Sequence, residues 1–147
     1  MTALLSLLQN IQQHSQKLLD LLAQEKLALD NDQLERLNEI SNQKQSLLTQ
    51  LNQLDKQRAA SSTDKNFNDF IANSNNQALI NQWKVTRKVI AECQQQNVIN
   101  GRLIHKRSQI NKDILSILSG RSEQDCETYN AQGNQAASAS LLGGIKA

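Results

Sequence analysis

The chain has 147 residues, no proline, five glycines, two Phe, one Trp and one Tyr. This composition excludes a β-rich protein, whose strands need more aromatic and β-branched residues, and favours one domain of long helices with an aliphatic core. The 16 basic and 14 acidic side chains give a net charge of +2, which points to no polyanionic partner.

The N-terminal segment lacks a basic leader, and no apolar run in the chain reaches 18 residues. We therefore expect neither a signal peptide nor a membrane-inserted segment. The two cysteines, Cys93 and Cys126, lie far apart and form no CxxC pair, which predicts free thiols. These observations together predict a soluble, cytoplasmic protein.

The first predicted helix covers residues 3–29. Its inward positions recur at alternating steps of four and three residues, which is the heptad spacing of a helix-packing seam. These seam positions are Leu4, Leu8, Ile11, Ser15, Leu18, Leu22, Glu25 and Leu29. Further leucines beside the seam widen the apolar face, as is typical of a bundle helix with more than one neighbour.

A second helix is predicted to begin after the polar segment 30–32. Asp32 followed by Glu35 has the spacing of a capping box, so Asp32 is the expected N-cap. The seam of this helix is Leu37, Ile40, Lys44, Leu47, Leu51, Leu54 and Arg58. The heptad slips by one residue across the break, which either a hairpin or a kink in one rod would explain; we favour the hairpin.

Residues 59–76 carry loop and cap residues at both ends. Between them Phe67, Phe70 and Ile71 are expected to form a short helix that covers one end of the bundle.

A long helix is predicted over residues 77–119, with Gly101 as the point where it could break. Its seam is apolar in both halves, but the positions between the halves are Asn97 and Asn100. A polar layer of this kind can fix the register of a bundle, and the glycine after it can allow a bend or the close approach of another backbone. The apolar seam positions are Trp83, Thr86, Ile90, Cys93, Leu103, Ile110, Ile114 and Ile117.

After Gly120, a plausible helix stop, the residues are mostly small or polar. The fold class predicted is therefore all-α: an elongated antiparallel bundle of three to four long helices over residues 1–120, with a flexible C-terminal tail over 121–147.

The residue patterns needed for catalysis or metal binding are missing from the sequence. His14 and His105 each stand alone on a predicted helix, and neither cysteine lies at ligand spacing from a histidine. No phosphate-binding glycine loop occurs. A basic cluster around Arg102 lacks the aromatic residues of a nucleic-acid interface. We expect no enzyme activity, no cofactor, no metal and no nucleic-acid partner.

Three stretches resemble the FlgN family of flagellar export chaperones, in the right order along most of the chain. The first is the Leu-rich start, with Glu25, Leu29, Leu34, Leu37 and Lys44. The second is Cys93-x-x-x-Asn97-x-x-Asn100-Gly101-x-Leu103-Ile104, which resembles the family's Asn-x-x-Asn-Gly signature. The third is Thr128-Tyr129-Asn130-x-x-Gly133, which resembles its tyrosine–glycine motif, except that Asn130 stands where an acidic residue is expected.

This resemblance implies a cytoplasmic, non-enzymatic chaperone of type III protein export. Such a chaperone binds the C-terminal helices of flagellar hook-associated (hook–filament junction) proteins, prevents their premature assembly, and delivers them to the export gate and export ATPase. A structural coiled-coil adaptor or tethering protein with no export role is the alternative, and a homodimer stays open.

We expect the second half of the long helix to bind the client, because this half is poorer in leucine than the first two helices and precedes the tail. The client-binding residues predicted are Asn97, Asn100, Gly101, Leu103, Ile104, Ile110, Ile114 and Leu118. In the tail, Tyr129 and Gly133 of the tyrosine–glycine motif are expected to dock on the export gate.

Overall fold

A computed structural model describes residues 2–63 and 65–119 of the chain. These residues form four helices and no strand: α1 (Thr2–Asp30), α2 (Leu34–Ala60), α3 (Phe67–Ala72) and α4 (Gln77–Ser119). The all-α prediction is confirmed, and so are the predicted bounds of the long helix. The tail with its predicted docking residues Tyr129 and Gly133 lies outside the described residues.

The chain reverses between α1 and α2, so the two helices form the predicted hairpin rather than one rod. Asp32 adopts a left-handed backbone with φ of 54°. The amide of Asp32 donates to Leu29 O at 3.4 Å, and the amide of Gln33 donates to Ala28 O at 3.0 Å. This pair of bonds is a Schellman motif, which satisfies the last carbonyls of α1.

The prediction of Asp32 as N-cap of α2 is wrong. The N-cap position of α2 is Gln33, whose side chain makes no capping bond. Asp32 instead ends α1, because the tight reversal needs a residue that tolerates positive φ, and Asp does so better than most. Glu35 still lies in the first turn of α2, where a negative charge favours the helix dipole.

A repeated contact sets α4 parallel to α1. Thr86 Oγ1, Cys93 Sγ and Asn100 Nδ2 lie seven residues apart and donate to the carbonyls of Leu8, Ser15 and Leu22 at 3.3, 3.1 and 2.8 Å. Since the acceptors are also seven residues apart, each seam heptad of α4 lies beside one heptad of α1. The helix α2 packs along α1 in the opposite direction and reaches α4 through side chains such as Lys44, which gives an up-down-up bundle.

The short α3 covers the end of the bundle where α4 begins, as predicted. Asn66 caps α3 by accepting the amide of Asn68 at 3.0 Å. Phe67 packs edge-on against Trp83 with 4.7 Å between ring centroids, and the Trp83 indole N–H donates to Asn68 Oδ1 at 2.7 Å. The Arg58 guanidinium lies over both rings, so it adds cation–π contacts to this end.

The core follows the seams predicted from the sequence. All eight predicted α1 positions are buried, and so are the α4 positions from Trp83 to Asn100. Each fully buried leucine or isoleucine contributes about 1.5–3 kcal/mol, so this aliphatic core carries most of the stability. Burial on α4 stops at Asn100, although the helix continues without a break through Gly101 to Ser119.

Candidate functional site

A polar layer marks the level at which the core ends. It contains one acidic residue from α1, one basic residue from α2 and two amides from α4: Glu25, Lys44, Asn97 and Asn100. Lys44 Nζ donates to Asn97 Oδ1 at 2.7 Å and lies 3.7 Å from Glu25 Oε1. Asn100 Nδ2 donates to the same Glu25 oxygen at 2.8 Å, so all three long helices meet in one network.

Burial dominates the electrostatics of this layer. Removal from water lowers the pKa of Lys44, while the Glu25 carboxylate opposes that change by its charge and its hydrogen bond. Burying the Glu25–Lys44 pair therefore costs free energy, and removing one partner would also cost free energy. Such a pair is suited to fixing the axial register of the three helices. The layer stabilises one alignment of the three helices at the point where α4 loses its cover.

Beyond this layer, α4 keeps its apolar seam but has no buried residue among the described residues. Six large apolar side chains of this half are exposed, from Ile104 at 45% to Ile117 at 80%. These six are Ile104, Ile110, Ile114, Leu115, Ile117 and Leu118. Single exposed apolar residues are common on proteins, whereas a stripe at helical spacing indicates a surface for another chain.

A groove of about 900 Å³ lies between the α1–α2 turn and this uncovered half of α4. One wall is formed by Leu34 and Leu37 of α2, and the other by α4 residues. Leu34 is 73% exposed although it stands at the start of a helix beside the core. The α4 residues of the wall include Leu103, Ile104, Ile110 and Leu115.

One ion pair fixes the width of the groove near the turn. The Arg107 guanidinium donates to a carboxylate oxygen of Asp32, and both residues line the groove. Asp32 therefore carries a second role besides ending α1, since it holds the hairpin turn to α4. Because Asp32 is largely exposed, the pair contributes little stability and can yield when a ligand enters.

Gly101 lies on the exposed side of α4, directly after the polar layer. A Cβ built at Gly101 would meet no atom within 4 Å, so the predicted close approach of another part of this chain does not occur. The helix does not break at this position either, since α4 runs through it to Ser119. A helix-interior glycine costs about 0.5–1 kcal/mol relative to alanine, and no contact within the described residues offsets that cost.

The predicted client-binding residues divide into four groups. Leu103, Ile104 and Ile110 line the groove, whereas Ile114 and Leu118 continue the exposed stripe beyond it. Gly101 is exposed outside the groove. Asn97 and Asn100 are buried in the polar layer, which borders the groove through Glu25. The assignment of all these residues to client binding stays a prediction.

Sequence reasoning did not assign four apolar groove residues to this site: Leu29, Leu34, Leu37 and Leu115. Leu34 is the most exposed of them. Its spacing of three residues from Leu37 shows a shared face, but nothing in the sequence places the start of α2 beside the end of α4. Only the tertiary contact between Asp32 and Arg107 does that.

The described part of the chain offers little support for a metal site, a nucleophilic cysteine or a membrane span. No three side chains among its His, Cys, Asp and Glu residues lie close enough to hold a metal ion. Burial, with smaller contributions from Glu92 and Asp20, raises the pKa of Cys93 to about 12, so this thiol is not a nucleophile near neutral pH. Within residues 2–63 and 65–119, no helix is long and apolar enough to cross a membrane.

Comparison with known proteins gives one result that agrees with this geometry. A family model described as FlgN protein matches residues 1–137. The chain belongs to the FlgN family. None of the curated proteins and none of the solved structures compared with it matches.

FlgN membership establishes the general role. FlgN proteins are flagellar export chaperones, and the partners that membership implies are flagellar hook-associated proteins. The match extends past Ser119, so it includes the segment with Tyr129 and Gly133 as well as the bundle.

Proposed function

We propose that this FlgN protein holds a C-terminal helix of a hook-associated protein along the uncovered half of α4, in the cytoplasm, until the subunit is exported. The observation that carries the proposal is that the apolar seam of α4 continues past Asn100 while the bundle covering it does not. An apolar face laid into a groove is a recurring mode of helix recognition.

The dimensions of the site support a helix as the ligand. Residues 101–119 would extend roughly 28 Å, which matches about five turns of a client helix. Leu34 and Leu37 provide a second wall, so the client would contact two helices at the turn end and α4 alone farther out. A subunit whose terminal helices pack together in the assembled structure would be kept from premature assembly while this stripe is covered.

The decisive experiment replaces Ile110 and Ile114 together by Asp. Because both are about half exposed, we expect helical content and unfolding free energy to stay close to wild type while co-purification of the hook-associated client is lost. Ile90→Asp is the contrasting variant, since Ile90 is buried and its replacement should unfold the bundle. If Ile110/Ile114→Asp unfolds like Ile90→Asp, these residues belong to the core and the placement is wrong.

Leu34→Asp tests the second wall independently. It lies on α2, is exposed, and is distant in sequence from the family signature. We expect it to weaken client binding at least tenfold without loss of fold, because one wall of the groove becomes charged. Unchanged affinity for this variant would restrict the site to α4.

Delivery to the export gate and the export ATPase is the second part of the proposal. The tyrosine–glycine motif at Tyr129 and Gly133 supports it, because a tyrosine offers both contact area and a hydroxyl. Tyr129→Ala should leave client binding intact and lower secretion of the client. Secretion at the wild-type rate would remove Tyr129 from gate docking and leave the groove proposal untouched.

A further inference from the structure

The positive charge of the chain is concentrated on α4. This helix carries seven Lys or Arg residues against two acidic ones, so its net charge is +5, whereas the whole chain is +2. Such an asymmetry indicates a local electrostatic surface that the overall charge does not reveal.

Four of these cations lie along one line on α4, which we call the basic ridge: Lys84, Lys88, Arg102 and Lys106. Arg102 follows Lys84, and Lys106 follows Lys88, by 18 residues. This separation equals about five helical turns, so each pair points in the same direction roughly 27 Å apart. Arg87 flanks the first pair and is also exposed.

The basic ridge faces away from the core, and one of its four residues, Lys106, also lines the groove. Cys93 stands nine residues from Lys84 and nine from Arg102, about two and a half turns from each, and is fully buried. The ridge residues are exposed and form no ion pair within the described residues. Of the two acidic residues of α4, Glu92 is half-buried at the ridge edge, and Asp113 lies beyond Lys106 and accepts a bond from Gln109.

The exposed residues on the ridge line between the two pairs are uncharged and partly apolar. Ala91, Gln95, Val98 and Ile99 are all exposed there. Beside the first pair, a shallow depression of about 440 Å³ between α3 and α4 is lined by Ile71, Ile80 and Trp83 together with Lys84, Arg87 and Lys88. Cations next to accessible apolar groups are the combination found on helices that lie at a lipid surface.

We propose that the basic ridge docks the chaperone on an anionic lipid surface. The ridge is a straight, convex line with charge at both ends, so a flat surface of diffuse negative charge can reach all of it at once. An acidic helix would need a groove, and of the four ridge residues only Lys106 lines the groove beside α4. Because Lys84, Lys88 and Arg102 lie outside the groove, the protein could keep a client while it rests on the lipid.

The test is co-sedimentation of the full chain with vesicles at low salt. We expect it to sediment with phosphatidylcholine vesicles containing about one third phosphatidylglycerol, not with phosphatidylcholine alone, and to be released by high salt. Lys84→Glu with Lys88→Glu, and Arg102→Glu with Lys106→Glu, should each lower partitioning about tenfold or more. The matched control is Lys17→Glu with Lys56→Glu, which makes the same charge change at exposed positions of α1 and α2.

Three outcomes would overturn the proposal. They are failure of the wild-type chain to sediment with the anionic vesicles, equal loss of sedimentation in the ridge and control variants, and binding to a single-stranded RNA without binding to vesicles. Circular dichroism checks that every variant stays helical. Client co-purification by the variant with Lys84→Glu and Lys88→Glu should remain at the wild-type level, so failure of lipid binding is separate from failure of the groove.

Discussion

Gly101 is the residue at which α4 passes from the covered to the uncovered part of the bundle. It is exposed, an added Cβ would meet no atom of the described residues outside its own helix backbone within 4 Å, and α4 continues on both sides. A glycine at such a place weakens the helix without a reason inside the described part of the chain. The proposed client site would supply a reason, since a client backbone could approach where a side chain would otherwise stand.

Gly101→Ala should therefore stabilise the free protein. Alanine lowers the conformational entropy of the unfolded chain and favours the helix, so the unfolding free energy measured in urea should rise by about 0.5–1 kcal/mol. Gln95→Ala, at another exposed position of α4, is the control and should change it by less than about 0.5 kcal/mol. A drop in stability for Gly101→Ala would mean that a contact or a backbone conformation within the protein itself requires glycine at this position.

The same substitution separates stability from client binding. If the client lies over Gly101, the added methyl group should lower client affinity even as the free chaperone becomes more stable. Calorimetric titration with the client's C-terminal segment measures this, and equal affinity of both proteins would place the client elsewhere along α4.

Asp32 shows why single residues near a turn are hard to assign from sequence. Its spacing to Glu35 matches a capping box, and Asp is also among the residues that tolerate a left-handed backbone at a helix end. The choice between these roles depends on whether the chain reverses within three residues, which is a tertiary property. The structure resolves it in favour of the helix end.

At the scale of elements, α4 has one periodicity and two environments. The seven-residue pattern predicted the whole helix correctly, because helix formation depends on local spacing, and it predicted the inward face correctly as far as Asn100. Whether that face is covered depends on how far α1 and α2 reach, and the pattern carries no such information. The groove between Leu34 and Ile110 was therefore beyond sequence reasoning, although its α4 wall was predicted.

Hydrogen exchange should show these two environments directly. Amides of residues 86–97 are on the part of α4 packed in the core, so they should exchange only through global unfolding. Amides of residues 105–119 should exchange far faster, because few buried contacts oppose local opening there. Mass spectrometry of peptides from α4 would measure both, and addition of the client should slow exchange in the second segment alone. Uniform protection along the helix would contradict an uncovered half.

At the scale of the whole molecule, the main question is the axial register of the helices, that is, which heptads of α1 and α4 lie side by side. A heptad seam is satisfied equally well if one helix slides by seven residues, so apolar spacing alone does not decide which heptads of α1 and α4 meet. In the structure Thr86, Cys93 and Asn100 pair with consecutive heptads of α1. The level containing Asn100 also carries the buried charges of Glu25 and Lys44, which join α1 to α2, and a slide of one heptad would separate these groups. The buried ion pair between Asp55 and Arg58 lies within α2.

The Glu25–Lys44 pair should therefore behave as one unit in stability measurements. Lys44→Met leaves the Glu25 carboxylate buried without its cation, and we expect a loss of about 3–5 kcal/mol in unfolding free energy. Glu25→Met with Lys44→Met removes both charges and should recover a large part of that loss, which a double-mutant cycle in urea would show as strong coupling. Lys26→Met is the control, since its pair with Asp30 is exposed and should cost less than about 1 kcal/mol. If Lys44→Met cost no more than Lys26→Met, the buried layer would not be what aligns the three helices, and the position of the groove above it would need another cause.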